Sequence, residues 1–157
     1  MNYPLLKLLH IAAVIIFLGN IITGHFWMHL AMRSKDVNII RHSVNGIMQS
    51  DRIFTMPAVV IIIVAGILSA FYGNIPVLRT GWIIWSITLF SLSGVIFSTK
   101  LSVLLRKMKE LTNDQDSSNE QEWVTINNLY RQWSTWALAA IMLPLAALVM
   151  MVLKIPA

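Results

Sequence analysis

Four apolar runs divide this chain, at about Leu5–Met32, Ile53–Tyr72, Gly81–Thr99 and Trp133–Leu153. About twenty predominantly apolar residues are needed to carry an α-helix across a hydrocarbon core. A helix suits that setting because it satisfies its backbone polar groups within its own segment, where no water is at hand to do so. The pattern predicts an all-α polytopic membrane protein, a four-transmembrane-helix bundle forming a single domain over residues 1–157. No stretch is left over for a second, soluble domain.

The connecting segments carry their own periodicity. Loops 33–52 and 106–132 are polar but not featureless. Between Asp36 and Asp51, the residues Val37, Ile40, Val44 and Ile47 recur at three-to-four spacing, which predicts a short amphipathic helix lying at the membrane surface, with Gly46 weakening it. Thr112–Ser118 reads as a polar turn, and Ser117 with Glu120 has the spacing of a capping box. Trp123, Ile126, Tyr130 and Trp133 then continue one helical face into the fourth run, so the third and fourth helices should project beyond the bilayer as a hairpin. Asp51 and Thr55 are candidate caps for the second span, with Pro57 in its first turns, and Pro144 should kink the fourth. Gly66/Ala70 and Gly94/Ser98 have the small-xxx-small spacing that lets helices approach closely. Ser86, Thr88, Ser91, Ser93 and Ser98 make the third span rich in hydroxyls, for which packing is favoured over a polar cavity.

Composition supports the class, and charge orients it. The chain of 157 residues is 57% hydrophobic and 12% charged, about half the charge of an ordinary soluble domain. Nine basic residues (Arg33, Lys35, Arg41, Arg52, Lys100, Arg106, Lys107, Lys109 and Arg131) fall in or beside the two long loops, against Lys7, Arg79 and Lys154 toward the other side. That bias puts both loops in the cytoplasm and both termini outside. All seven acidic residues also fall in those loops. Tyr72, Trp82 and Trp85 mark one interface and Trp27, Trp133 and Trp136 the other. The net charge of +5 flanks spans rather than forming a basic patch with interleaved aromatics, so no nucleic acid is expected as a partner. With no cysteine, disulfides, thiolate zinc and iron–sulfur sites are excluded. The first run is too long for a signal peptide and lacks a small-x-small cleavage site, so it should be retained.

Polar chemistry inside the bilayer concentrates in the first span. His10, His25, His29 and His42 all fall within the first 42 residues, and ionisable groups in a membrane segment usually mark a site or a boundary. His25, Met28, His29 and Met32 stand at i, i+3, i+4 and i+7, one helical face whose imidazoles and thioethers suit copper(I) or an axial haem position. Packing and snorkelling explain the same face more simply. His10 lies roughly 22 Å along the helix from His25, a separation that also suits two stacked haems. Asn20, flanked by Gly19 and followed by Thr23 and Gly24, is an amide that needs a partner on another helix. His42 beside Arg41 reads as a headgroup contact. With no Asp, Glu or Arg in a span, a transporter or channel built on charged relays is disfavoured. No HExxH, Ser-His-acid or glycine-rich phosphate motif is present.

The segments Leu5-Leu-Lys-Leu-Leu-His10, Gly19-Asn20 with Trp27, Asp51-Arg-Ile-Phe-Thr-Met-Pro57 and Gly81-Trp82 resemble the bacterial integral-membrane family known as domain of unknown function 2269. The likeness runs from about Leu5 to Leu153 and implies a four-span fold in the bacterial cytoplasmic (inner) membrane. The Lys-x-x-His opening and the proline-containing start of the second span also resemble, more remotely, membrane haem proteins of the oxygen-independent protoporphyrinogen oxidase type and the copper-resistance protein D group. That resemblance implies that His10 is an axial haem ligand. It departs in the third span, where Ser86 and Phe97 stand at the positions of that group's lysine and histidine, so protoporphyrinogen oxidase activity is not expected.

Two expectations of different class follow. One is a protein binding haem b, or alternatively copper, in a redox or sensing role, with His10 on the outer side and His25, Met28, His29 and Met32 as inner candidates. It would act with a membrane redox partner or as a homodimer in the lipid bilayer. The other is a non-catalytic structural or partner-binding subunit whose polar groups, Asn20 among them, pack helices.

Overall fold

The computed structural model describes residues 3–113 and 120–156. The proposed capping serine, Ser117, and the rest of 114–119 in the 106–132 loop lie outside the described residues. Helix α1 (Tyr3–Ser34) is followed by a sharp reversal and α2 (Val37–Ser50). The reversal has local causes. Lys35 takes a positive φ of 57° just after the last turn of α1, and the Asp36 carboxylate accepts the backbone N–H groups of Asn38 at 2.8 Å and Ile39 at 3.4 Å. Two donors that the first turn of α2 leaves without a helical partner are thereby satisfied.

Helix α2 runs without a break through a π-turn (Asp51–Thr55) into α3 (Met56–Tyr72). Pro57 explains the turn. It has no N–H to donate, and its ring crowds the carbonyl one turn earlier. The helix widens just ahead of it, the Met56 N–H reaching back five residues to the Asp51 carbonyl. Asn74, at φ 51°, ends this rod. A 3₁₀ turn (Val77–Arg79) leads into α4 (Gly81–Ile96), a second π-turn (Phe97–Leu101), α5 (Ser102–Asn113) and, beyond the undescribed segment, α6 (Glu120–Leu153). The four rods Tyr3–Ser34, Val37–Tyr72, Gly81–Thr112 and Glu120–Leu153 are each long and apolar enough to cross a membrane.

The rods pack as two antiparallel pairs. Helix α1 lies along α3 and α4 along α6, while the α1–α6 seam joins the pairs and α3 makes no extended contact with α4. At the end bearing the basic residues, α2 and α5 close the bundle over a core of Met28, Met32, Ile40, Val44, Leu105, Met108 and Ile126. A smaller cluster of Ala13, Phe17, Leu18, Ala58 and Ile62 lies deeper in the apolar zone.

Two expectations change here. The apolar stripe of α2 does not lie on the bilayer: Ile40 and Val44 are fully buried against α1 and α5, because protein is available to cover it. Trp133 is not part of the interfacial belt. It is 4% exposed and belongs to the core where α6 meets α1, whereas Trp27, Trp85 and Trp136 are exposed as a belt requires.

Candidate functional site

The hydroxyls of α4 divide by role. Ser93 donates to the Ala140 carbonyl at 2.8 Å. That carbonyl would ordinarily accept the N–H of residue 144, but Pro144 has none, so the serine supplies the missing donor across the helix pair. Ser86 is fully buried and reaches the Ala147 carbonyl at 3.2 Å as well as its own Trp82 carbonyl at 2.7 Å. Thr88, and Ser98 in the π-turn that follows, bond back to α4 carbonyls.

His10 sits against α3. Its Nδ1–H donates to the Ile62 carbonyl at 2.9 Å, which leaves Nε2 as the ring's acceptor. Gly66 makes the room: a Cβ there would lie 3.1 Å from His10 Cε1 and 3.2 Å from Nδ1. Near the other end of α1, the four residues of the His/Met face go separate ways. Met28 and Met32 are buried in the basic-end core. His29 is exposed and shares a hydrogen bond of 3.0 Å with the Tyr130 hydroxyl. His25 stacks on Trp133, with ring centroids 5.6 Å apart and planes 20° from parallel. His42 is exposed. Among the described residues, no three His, Asp or Glu side chains come together as a metal site.

What the fold does build is a cavity of about 290 Å³ between the two helix pairs. Helix α1 contributes Phe17, Asn20, Gly24 and His25 to its wall. The second rod adds Asp51, Thr55, Met56 and Val59, the third Phe90, Ser93, Gly94, Phe97 and Ser98, and α6 adds Trp133 and Ile141. Both π-turns border it. Such turns widen a helix at the cost of a regular hydrogen bond and often occur at functional sites. Gly94, expected to pack helix on helix, instead faces open space, with nothing within 4 Å of a Cβ built on it.

One wall is polar and internally bonded. The Asn20 amide donates to Thr55 Oγ1 at 2.8 Å and to Asp51 Oδ1 at 3.2 Å, and the Thr55 hydroxyl donates to Asp51 Oδ1 at 2.9 Å. The partner that Asn20 requires on another helix is thus a carboxylate and a hydroxyl. Asp51, expected at the end of loop 33–52 as a cap for the second span, instead lies inside a continuous helix, turned toward α1. The signal was present in the sequence: Asp51 and Thr55 are four apart, just ahead of Pro57, and share a face once the segment is helical. Beside this wall stands His25, whose Nδ1 is buried without a hydrogen-bond partner, as is Nε1 of the stacked Trp133.

The architecture is that of a polytopic four-helix membrane protein with a polar wall set inside its bundle. A family model described as predicted integral membrane protein (DUF2269) matches residues 4–155, and the chain belongs to that family. No curated protein and no solved structure matches it.

Proposed function

We propose that this protein binds a small molecule in the cavity between its helix pairs, within the bacterial cytoplasmic membrane, its basic end in the cytoplasm. The observation that carries this reading is the pairing of Asn20, Asp51 and Thr55 with an unpartnered His25 nitrogen on the wall of an otherwise apolar cavity. Buried polar groups ordinarily find partners within the protein. A concave, mostly apolar space with a few convergent polar groups is the usual form of a ligand site.

Gly94→Leu tests it. Gly94 lines the cavity and a Cβ built on it meets nothing within 4 Å, so the position has room for a larger side chain. Native mass spectrometry of protein released from lipid nanodiscs should find a bound small molecule on the wild type, with occupancy falling at least tenfold in Gly94→Leu at unchanged helical content. Equal occupancy in the two proteins, or none in either, overturns the proposal.

A second reading is a b-type haem, or copper, in a redox or sensing role. It is supported by His10, whose Nδ1–H is held by the Ile62 carbonyl. A hydrogen bond of this kind fixes the tautomer and orients the ring of a ligating imidazole. His10 does not line the cavity, so the other face of a haem there would come from a second copy or a membrane redox partner. Ultraviolet–visible spectra of oxidised and dithionite-reduced protein, with iron and copper quantified, test this. A Soret band that sharpens on reduction and disappears in His10→Ala supports haem. Copper without a Soret band turns attention to His25 and His29. A colourless, metal-free protein from haem-supplied cells sinks the second reading. If the cavity is also empty, the bonds made by Asn20, Ser86 and Ser93 serve helix packing in a structural or partner-binding subunit.

A further inference from the structure

The cavity has a direction and a selective wall, and together they specify its occupant. The direction comes from where the polar and apolar residues fall along α1. Phe17 lies at the deep end and His25 toward the basic end, eight residues and roughly 12 Å apart. The deep part is closed by Phe17, Phe90 and Ile141 and the shallow part by Asn20, Asp51 and His25. A molecule lying there would keep its apolar body in the hydrocarbon and its polar head near the membrane boundary, as a lipid does. The mouth matches. Its rim includes Met56 of α3, Gly94 of α4 and Ser98 of the second π-turn, all exposed, and α3 and α4 make no extended contact. The opening is therefore sideways, toward lipid.

The selectivity comes from counting donors and acceptors. Asn20 has two amide N–H groups, and one goes to Asp51 and one to Thr55. The single Thr55 proton goes to Asp51. These three residues thus have no donor left between them; the unpartnered N–H on the lining is that of Trp133, on α6 beside His25. The acceptors that remain are the second carboxylate oxygen of Asp51 and the carbonyl oxygen of Asn20. Neither takes a hydrogen bond among the described residues, and Asp51 forms no ion pair there. His25 is the other titratable group on the wall, and no lysine or arginine lines it. A carboxylate in an apolar space without a counter-charge is costly, and a cationic donor would relieve that cost.

Building on the cavity reading, we propose that the occupant is an amphipathic amine that enters from the bilayer between α3 and α4 and seats its ammonium group on Asp51 and Asn20. The test offers dodecylammonium, dodecanol and dodecanoate in equal amounts to the full chain in neutral-lipid nanodiscs, with occupancy read by native mass spectrometry. Dodecylammonium should exceed the other two by at least tenfold, and Asp51→Asn, which preserves shape and removes charge, should bring it level with dodecanol. Gly94→Leu should remove all three. Equal or reversed preference in the wild type, or a preference unchanged in Asp51→Asn, overturns the amine assignment while leaving the cavity as a site. Binding that ignores Gly94→Leu overturns the cavity reading itself.

Discussion

The bond between Ser93 and the Ala140 carbonyl supports a quantitative prediction, because a second residue determines how much it matters. Pro144 deprives that carbonyl of its helical donor, leaving Ser93 Oγ, at 2.8 Å, as its partner from outside the helix. Ser93→Ala should therefore remove an interhelical bond and also strand a buried carbonyl. Interhelical bonds in membranes average about 0.6 kcal/mol and reach about 1.7, and a stranded acceptor places this one near the upper end, at about 1.5 kcal/mol. In a Pro144→Ala background the N–H of residue 144 returns to the same carbonyl, and Ser93→Ala should cost only about 0.5 kcal/mol. The expected coupling is about 1 kcal/mol. Ser86→Ala is the control. The Ala147 carbonyl lies within α6 ahead of Met151, whose N–H remains available to it, so this change should cost about 0.5 kcal/mol in either background. Unfolding free energies from steric trapping in bicelles would measure all of these. A Ser93→Ala cost that is the same with and without Pro144, or no larger than that of Ser86→Ala, refutes the account.

Three further outcomes are expected. Gly66→Ala places a Cβ 3.1 Å from the His10 ring, which should displace the imidazole from the Ile62 carbonyl and cost about 1–2 kcal/mol in the same assay; the penalty should shrink when His10→Ala is already present. Asn20→Ala removes two donors, at 2.8 and 3.2 Å, from Thr55 and Asp51. It should destabilise by about 1–3 kcal/mol, and Asp51→Asn in that background should recover part of the loss, which a purely steric role for Asn20 would not allow. Alkaline phosphatase fused after Ala157 should be active and a green fluorescent protein there dark, with the reverse for insertions near residue 115. The opposite pattern would overturn the orientation drawn from the nine basic residues of the two loops.

The four rods were legible because hydrophobicity is a long-range average: twenty apolar residues predict a span whatever their order. The deep burial of Ile40 and Val44 was legible as a stripe but not as a destination, since the same period serves a helix on a lipid surface and one docked on protein. The inward orientation of Asp51 is hidden from the sequence for a related reason. An acidic residue at the edge of an apolar run reads as solvated, and only the closure of the basic end by α2 and α5 draws the helix inward so that this carboxylate faces Asn20. Asn20 bonds to Asp51 and Thr55 on the neighbouring rod. An amide in an apolar run carries the requirement for a partner in its chemistry, without regard to what stands opposite.

The His25-Met28-His29-Met32 face shows where spacing stops being informative. Residues at i, i+3, i+4 and i+7 project within one broad sector of a helix, and a metal needs them to converge on a point. Helix α1 lies where several neighbours meet, so that sector is shared among environments. Met28 and Met32 turn into the core with Val44 and Met108, His25 lies on Trp133, and His29 faces the Tyr130 hydroxyl. Helical spacing sets only the angles at which side chains leave one helix. Convergence also depends on the neighbouring helices, and here these separate the two thioethers from the two imidazoles. Asn20 and Asp51, which no local spacing relates, meet because α1 and the α2–α3 rod run antiparallel, placing residues 20 and 51 at the same level. The polar wall is thus a property of the helix pair. Neither helix read alone contains it, which is why Asp51, rather than any histidine, is the residue whose charge most directly tests the site.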